Sequence, residues 1–375
     1  MSEPPQILIS AGEASSDMYA ARLATALRAR VPATFFGMGG PRMAEAGVEL
    51  VADYHEVAVV GITEVLHKIP TVIGVQNRLA REAEKRRASL AILVDSPGTH
   101  LGVARRLKRS NIPVGYFIGP QVWAWRAGRV RVVKRLVQRM VVIFPFEEKI
   151  YRDAGVLVDF VGHPLVDTVR PRMTRAEFAA QHGLDASRPI VTILPGSRPN
   201  EIAQNYARMV AACERLVQPG NVQFVHAVAH GLSPELLARH AKPGVKIVRV
   251  QDATYDALAA ADCAIVASGT ATVEAALLNT PMVVVYRVAP VTASILRHMV
   301  RTPFIGMVNL IGGKLVCPEL IQDDFTPAAV EKEGRRILES TDARDEMKAG
   351  LAEVRAKLGP GGAIERAADI FARML

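Results

Sequence analysis

Two successive series of short apolar runs constrain the fold of this 375-residue chain more than any other feature. A stretch with helical spacing follows most of these runs. Strands that are apolar on both faces and separated by helices are typical of parallel sheets covered on both sides. The sequence therefore predicts an α/β protein with two doubly wound, Rossmann-like domains. The predicted strands are Ile7–Ser10, Thr34–Gly37, Leu90–Val94, Val114–Phe117 and Met140–Phe144, then Ile190–Leu194, Val222–Ala227, Val245–Val248, Cys263–Ala267 and Met282–Tyr286.

The polar segment 167–189 separates the two series and marks the predicted domain boundary. We expect an N-terminal domain over residues 1–166 and a C-terminal domain over 167–345. Two helices follow at 346–375, and we consider that they pack back on the N-terminal domain. Tandem doubly wound domains present the carboxyl ends of their strands to a cleft between them, where ligands of such folds bind.

The positive charge is concentrated in the N-terminal half of the chain. The first 150 residues hold 21 Lys and Arg against 13 Asp and Glu, whereas the whole chain has a net charge of +9. This asymmetry predicts an anionic partner: nucleic acid, a phosphorylated substrate or an anionic membrane surface. The basic stretch 126–139 and the apolar stretch 65–73 each suit either membrane contact or an ordinary helix face.

Two turns between a strand and a helix have the composition of phosphate-binding sites. The first holds Ser268, Gly269 and Thr270, and the second holds Ser197 and Arg198. Small residues allow a ligand to approach, and a helix N-terminus attracts anions. Either turn alone is most simply an ordinary connection, but the two together favour a diphosphate.

Glu274 follows the first of these turns within its helix. A carboxylate repels phosphate, so it is better suited to accept hydrogen bonds from ribose hydroxyls. The pattern thus indicates a nucleoside diphosphate. The sequence contains no Walker A motif and no His/Cys cluster at ligand spacing, which predicts a reaction without metal or cofactor. Arg198 and the helix N-termini would then neutralise the leaving phosphate.

Two carboxylates follow predicted strands in the N-terminal half. Asp95 comes directly after Leu90–Val94, where desolvation would raise its pKa toward that of a general base. A helix N-cap is an equally good interpretation of this position. Glu13 and Ser15 lie in a similar turn after the first strand, where Ser15, Ser16 and Asp17 also suit capping.

Several motifs closely resemble one known family, that of lipid-A-disaccharide synthase. They include "SAGEASSD", "FGMGGPRM", "GPQVWAWR", "LPGSRPNEI", "ASGTATVEAAL" and "MVNLIGGKLVCPELIQ", and they occur in the family's order from about residue 7 to 325. The resemblance implies a GT-B fold and an inverting glycosyltransferase of Gram-negative lipid A biosynthesis. The implied donor is UDP-2,3-diacylglucosamine and the implied acceptor is 2,3-diacylglucosamine 1-phosphate, giving the β(1→6) disaccharide 1-phosphate and UDP.

The resemblance also implies roles for residues and a location. Asp95 matches the proposed general base, and the basic half would receive the acylated acceptor at the anionic inner membrane. A cytoplasmic, peripherally membrane-bound protein is implied, and a homodimer is suggested. The UDP-sugar would contact Ser197, Arg198, Ser268, Gly269, Thr270 and Glu274, the backbone of 247–253, and the segment with Asn309, Glu319 and Gln322.

Two departures from the family pattern bear on the site. Gly98 stands where the family has a second aspartate, which makes His100 a candidate base in place of Asp95. Ser16 stands where the family has a glycine. Two rival functions remain: a UDP-sugar 2-epimerase on the same fold, and a non-enzymatic basic protein that binds membrane surfaces. Nucleic-acid binding is disfavoured because the chain has 5% aromatic residues and no RNA-binding motif.

Overall fold

A computed structural model describes residues 4–57, 62–120, 128–217, 221–229, 231–232, 234–238, 244–290, 292–293 and 302–375, with backbone only for 62–67, 234 and 236. The chain divides into two compact units. Unit 1 comprises residues 1–164 and 359–375, and unit 2 comprises 165–358. The predicted boundary at 166/167 lies two residues from this division. The two C-terminal helices belong to different units, because the division at 358/359 assigns only the last of them to unit 1.

Unit 1 contains a parallel sheet whose described part has seven strands. Their order in the sheet is β3-β2-β1-β4-β5-β6-β7, so the direction of winding reverses between β1 and β4. Strands β1, β4 and β5 lie in the middle and are almost wholly buried. The strands are β1 Gln6–Ala11, β2 Thr34–Gly39, β3 Glu49–Asp53, β4 Leu90–Val94, β5 Val114–Phe117, β6 Arg139–Val142 and β7 Val158–Phe160.

Helices α3, α4 and α5 cover one face of this sheet. Their residues Leu79, Leu107 and Val133 are buried in one core with Leu8 and Leu93 of the strands. Helix α1 contacts β1 and packs against the C-terminal helix α16. The helices of unit 1 are α1 Ala14–Arg28, α2 Pro41–Glu45, α3 Ile62–Lys85, α4 Pro97–Arg109, α5 Arg129–Leu136, α6 Pro145–Asp153 and α16 Ala363–Ala372.

Unit 2 repeats this architecture with a parallel sheet of six described strands in the order β10-β9-β8-β11-β12-β13. Its winding reverses between β8 and β11, and both of these strands are entirely buried. The strands are β8 Ile190–Leu194, β9 Gln223–Val228, β10 Ile247–Gln251, β11 Cys263–Ala267, β12 Met282–Tyr286 and β13 Glu319–Ile321. The predicted fold class, two doubly wound α/β units, is confirmed.

The described helices of unit 2 vary from one turn to about five. Helix α9 contacts β11 and α14, and helix α12 contacts β11, α13 and α15. The helices are α7 Leu165–Thr168, α8 Arg175–Gln181, α9 Pro199–Leu216, α10 Pro234–Ala238, α11 Thr254–Ala259, α12 Thr270–Leu277, α13 Met307–Gly312, α14 Pro327–Glu339 and α15 Thr341–Lys357. Within the described residues, no helix has both the length and the apolar character needed to cross a membrane.

Candidate active site

Glu13 and Asp95 lie at the point where the winding of the unit 1 sheet reverses. Glu13 follows β1 and Asp95 follows β4, and these two strands pair in parallel with Ala11 beside Val94. Ligands of doubly wound folds bind at this point of the sheet. The turns approach so closely that a Cβ atom on Gly12 would lie 2.3 Å from Ser96 Oγ, so only glycine fits there. The sheet thus brings together two carboxylates that are 82 positions apart in the sequence.

Burial raises the pKa of the Asp95 carboxyl to about 6. Like-charge repulsion by the Glu13 carboxyl, which lies within hydrogen-bonding reach, contributes to this rise, while the Ser96 N–H partly offsets both effects. The hydroxyl of Ser15 donates to Glu13 Oε1 at 2.7 Å and orients that side chain. A carboxyl with a pKa near 6 is half ionised close to neutrality, which suits it to accept a proton from a substrate.

His100 does not fit the role of an alternative base that its position suggested. The residue is fully buried. Its Nδ1 lies 2.7 Å from the Asp95 carbonyl oxygen and its Nε2 lies 2.9 Å from Ser10 Oγ. Burial lowers the pKa of His100 to about 4, so the ring is neutral. Both nitrogens are occupied, and the prediction of His100 as a substitute base is wrong. A Cβ atom on Gly98 would meet no atom within 4 Å, so the position of the family's second aspartate is open space.

Ser16 and Asp17 have capping roles in the turn after β1. The hydroxyl of Ser16 accepts from the N–H groups of Gly12 and Glu13 at 3.1 and 3.0 Å. The buried carboxylate of Asp17 accepts from the Gly40 and Arg42 N–H groups and so caps α2. The serine in place of the family's glycine therefore caps this turn, and Glu13 beside it is half-buried.

The turn between β8 and α9 lies at the winding reversal of the unit 2 sheet. Glu201 closes this turn: its Oε2 accepts from the Ser197 N–H at 2.8 Å and from the Arg198 N–H at 3.2 Å. The Arg198 guanidinium is 69% exposed and lies 3.4 Å from Glu201 Oε1. The side chain of Arg198 is thus available to a ligand, but the two backbone donors predicted to hold phosphate are occupied by a carboxylate.

The turn between β11 and α12 lies across the same reversal and lacks such a cap. Gly269 is the residue before the helix, and no side chain caps it. Its φ of 155° and ψ of −160° form a conformation that is essentially restricted to glycine. The N–H groups in the first turn of a helix have no acceptor within the helix. Of the two predicted turns, this one therefore presents the better anion site, with the exposed Thr270 beside it.

Glu274 lies one turn further along α12 and is mostly buried. Burial raises its pKa, and a hydrogen bond from Tyr255 lowers it. The Tyr255 hydroxyl donates to Glu274 Oε1 at 3.4 Å. Tyr255 was not predicted as a site residue, since a tyrosine near a helix start carries no motif by itself. The second oxygen of Glu274 has no protein donor among the described residues.

Ser268, Asn309 and Glu319 form one network around residues 305–306. Glu319 accepts from the Ile305 and Gly306 N–H groups, both at 2.9 Å, and from the Asn309 amide at 2.7 Å. The Ser268 hydroxyl donates to the Ile305 carbonyl at 3.0 Å. Asn309 is fully buried, and its oxygen accepts from the Val316 and Cys317 N–H groups. The Asn309 side chain thus makes four hydrogen bonds within the protein, which favours a positioning role over the predicted contact with the sugar donor.

Gln322 has a similar role beside the end of β12. With the amide oriented so that both of its ends are satisfied, its side-chain nitrogen donates to the Val288 carbonyl at 3.3 Å and its oxygen accepts from the Val288 N–H at 3.1 Å. The Gln322 carbonyl accepts from Arg287 at 2.6 Å. Arg287 in turn donates its N–H to the buried Asn205. Sequence reasoning missed Arg287, although an arginine directly after the apolar strand Met282–Tyr286 is a usable signal.

Some predicted features lie outside the described residues. Trp123, Trp125 and Arg126 are outside them, as are the side chains of Val65 and Leu66. Among the residues that the structure describes, no group of three or more His, Cys, Asp or Glu side chains has the arrangement of a metal site.

A comparison with family models matches nearly the whole chain to one family. The model described as lipid-A-disaccharide synthetase matches residues 7–370. The chain belongs to the lipid-A-disaccharide synthase family. It is therefore a hexosyltransferase of lipid A biosynthesis. It is 45% identical to the lipid-A-disaccharide synthase of Myxococcus xanthus over all of this chain and 99% of that protein. It is 46% identical to that of Acidobacterium capsulatum over all of this chain and 98% of the relative.

Solved structures of low identity show the same fold as this synthase family member. The chain is similar to Acinetobacter baumannii MurG with a TM-score of 0.63, 13% identity and coverage of 99% and 100% of the two chains. It is also similar to the Neisseria meningitidis UDP-GlcNAc 2-epimerase bound to UDP-GlcNAc, with a TM-score of 0.64, 12% identity and coverage of 98% and 100%. The predicted GT-B architecture is confirmed at the level of fold, and the epimerase alternative has only this distant likeness.

Proposed function

We propose that this protein transfers a diacylglucosamine unit from UDP-2,3-diacylglucosamine to 2,3-diacylglucosamine 1-phosphate. The products are the β(1→6)-linked disaccharide 1-phosphate and UDP. One observation carries this assignment: each unit has a site at the winding reversal of its sheet. Unit 1 presents a paired carboxyl with a raised pKa, and unit 2 presents an uncapped helix N-terminus and an exposed arginine, Arg198, that pairs with Glu201. A base and a diphosphate site are the two groups that transfer from a UDP-sugar requires.

Unit 2 holds the donor in this proposal. The first turn of α12, with Gly269 and Thr270, binds the diphosphate, and the exposed guanidinium of Arg198 neutralises charge on the leaving UDP. Glu274 accepts hydrogen bonds from the ribose, oriented by Tyr255. The backbone of 247–253 at the end of β10 contacts uracil. Ser268, Glu319 and Gln322 act mainly by holding the surrounding loops in place.

Unit 1 supplies the base for the acceptor. The Asp95 carboxylate takes the proton of the acceptor's 6-hydroxyl as that oxygen attacks the anomeric carbon of the donor. The bond to the UDP oxygen breaks on the opposite face, so the configuration inverts. Glu13 contacts the acceptor and keeps the pKa of Asp95 near neutrality. No metal or cofactor takes part in this scheme.

An anionic membrane surface is the proposed source of the acylated acceptor. Ile69 and Ile73 of α3 are 44% and 43% exposed, whereas Val75 and Leu79 of the same helix are buried. Helices α4 and α5, which contact each other, expose a basic set: Arg105, Lys108, Arg109, Arg131, Lys134 and Arg135. Exposed apolar residues next to cations are typical of proteins that bind anionic bilayers. Peripheral binding to the cytoplasmic side of the inner membrane follows from this, and a homodimer stays a prediction.

The reaction is tested by measuring UDP release from the acylated UDP-sugar with and without the monosaccharide 1-phosphate. We expect release only when both substrates are present, with a disaccharide of inverted, β configuration by NMR. Release of UDP without acceptor, or conversion of the donor at C2, would instead support the epimerase. No turnover of any acylated donor would contradict the proposal.

The membrane partner is tested by sedimentation with vesicles. The protein should bind phosphatidylglycerol vesicles and release from them at high salt, and it should bind phosphatidylcholine vesicles weakly. Ile69→Ser with Ile73→Ser should reduce this binding, whereas the same change at the exposed Leu315 of unit 2 should not. Equal binding of all variants would contradict the proposed surface.

A further inference from the structure

Three buried polar side chains form a network at the backbone of Asp95, two by direct contact and the third through His100, and the scheme above gives them no role. Ser10 lies on β1, Tyr116 on β5 and His100 on α4. The Asp95 carbonyl oxygen accepts from the Tyr116 hydroxyl at 2.6 Å and lies 2.7 Å from His100 Nδ1. His100 Nε2 lies 2.9 Å from Ser10 Oγ. All three side chains are fully buried.

The backbone that this network holds is in an unfavourable conformation. Asp95 has a φ of 53° and Ser96 a φ of 46°, so two successive non-glycine residues are left-handed. L-residues avoid this region unless the surrounding structure enforces it, and such strain occurs mainly at functional sites. The Asp95 N–H donates to the Phe117 carbonyl at 3.0 Å, so both backbone groups of Asp95 are tied to β5 or α4.

The chemistry of these partners fixes the proton on His100. A carbonyl oxygen only accepts, so Nδ1 carries the hydrogen, and Nε2 accepts from the Ser10 hydroxyl. Ser10 is three residues before Glu13 on the same strand and turn. The neutral imidazole therefore connects the end of β1, which leads to Glu13, with the end of β4, which leads to Asp95.

We propose that His100 and Tyr116 are positioning residues that hold Asp95 in its left-handed conformation with its carboxyl toward Glu13. This inference rests on the proposed role of Asp95 as the base. A buried histidine whose nitrogens bond to unrelated groups would be a simple core residue. Here one partner is the carbonyl of the proposed base and the other is on the strand that leads to its neighbour.

Loss of these bonds lets the 95–96 backbone relax and moves the Asp95 carboxyl away from Glu13. The titratable groups around Asp95 are Glu13 on the β1–α1 turn, which raises the pKa of Asp95, and His100 on α4 and Tyr116 on β5, which contact its carbonyl oxygen. Arg129 of α5 acts on Tyr116. His100 stays neutral across the range of activity, so Glu13 and burial dominate. A relaxed, more hydrated Asp95 then ionises at lower pH.

The experiment compares Tyr116→Phe and His100→Phe with Tyr151→Phe as matched control. Tyr151 is buried in the same unit and donates to the Pro120 carbonyl at 3.1 Å, so its variant loses the same kind of bond away from Asp95. We measure kcat, KM for each substrate and the pH profile of acceptor-dependent UDP release. For both positioning variants we expect kcat to fall by about 10- to 100-fold, since small misplacement of a base has effects of this size. KM for the UDP-sugar should stay near that of the wild type.

The pH profile separates positioning from a loss of stability. In the positioning variants the acidic limb should move below pH 6 toward pH 4, whereas in Tyr151→Phe it should stay in place. A variant that only loses folded protein keeps the wild-type limb. If His100→Phe does not fold, Tyr116→Phe decides alone. If Tyr116→Phe keeps the kcat of the wild type and an acidic limb at the same pH, the inference is overturned while the reaction stays established. Absence of acceptor-dependent release in the wild type would instead contradict the proposed function.

Discussion

Burial of the Asp95 carboxylate costs free energy, and the proposed role of this group is that of the base. Its removal should therefore affect both activity and stability. In Asp95→Asn we expect kcat to fall by about 10²- to 10⁴-fold, since a positioned general base contributes this much. UDP should still bind, because its proposed site is in unit 2. Arg42→Ala, in the first turn of the neighbouring helix α2, is an exposed control and should keep full activity.

The same substitution should stabilise the protein in a pH-dependent way. The folded pKa of Asp95, about 6, lies above its unfolded value, so folding becomes less favourable as the pH rises from about 4 to 6. An asparagine at position 95 does not ionise, so it does not make folding less favourable as the pH rises. Urea denaturation should therefore show Asp95→Asn to be more stable than the wild type by about 3 kcal/mol at pH 8 and equal to it below pH 4. Equal stability at both pH values would contradict the raised pKa.

Arg198 offers a residue-scale test of the donor site. Its guanidinium is exposed and pairs with Glu201, so Arg198→Ala should weaken UDP binding by about 10- to 100-fold, the usual effect of losing a charged hydrogen bond. Arg215→Ala is the matched control, because Arg215 is in the last turn of the same helix and pairs with Glu331. Calorimetric titration with UDP checks both. Equal losses in the two variants would remove Arg198 from the site.

At the residue scale, the positions of the polar site residues could be predicted from the sequence better than the roles of these residues. Asp95 and Glu13 were identified from their positions after buried strands, and the structure brings them together. The partners of His100 and Asn309 were not predictable, because both depend on chain segments that meet only in the folded unit. Ser10 is 90 residues from His100 in the sequence, and no local pattern connects them.

The first turn of helix α9 holds a carboxylate at the N–H donors of the proposed phosphate site. Glu201 accepts from the N–H groups of Ser197 and Arg198, which are the donors that a phosphate would use. Glu201→Gln should therefore bind UDP more tightly, by about 3- to 10-fold, since a competing negative charge is removed. Helix capping weakens at the same time, so the melting temperature should fall by a few degrees. Glu214→Gln, exposed near the other end of α9, should change neither quantity, and weaker UDP binding in Glu201→Gln would contradict the competition.

The sequence predicted the buried elements well and the edge elements poorly. The central strands β4 and β11 were predicted with their observed bounds because each is a continuous apolar run. Strands β3, β7 and β13 were missed, since they are partly exposed and include charged residues. Strand β10 was predicted two residues too early at its start, because its real end is the polar Arg249–Gln251.

The C-terminal helix contributes to unit 1 at the scale of the whole molecule. Phe371 is fully buried, and its ring fills the space beside Gly115 of β5, where a Cβ atom would lie 2.5 Å from the ring. Arg30, which follows α1, pairs with Glu365 and Asp369 of α16. Phe371→Ala should therefore reduce the free energy of unfolding by about 3–5 kcal/mol, the usual cost of emptying an aromatic site. Leu375→Ala, at an exposed position, should cost little in the same urea titration, and equal effects would contradict the packing.

The packing of the C-terminal helices on the N-terminal unit was considered from the sequence. The sequence did not show which of the two helices returns to that unit. The helical spacing of 346–375 shows two helices and a Gly-Pro-Gly-Gly break, and the spacing alone does not say which core each helix joins. The small size of Gly115 and the ring of Phe371 decide it, and they are 256 positions apart.

The pH dependence of acceptor-dependent UDP release tests the central claim most directly. If Asp95 is the base, kcat/KM for the acceptor should fall about tenfold per pH unit below about pH 6, and Asp95→Asn should lack this limb in its residual activity. An acidic limb near pH 4, or a limb near pH 6 that persists in Asp95→Asn, would contradict the account.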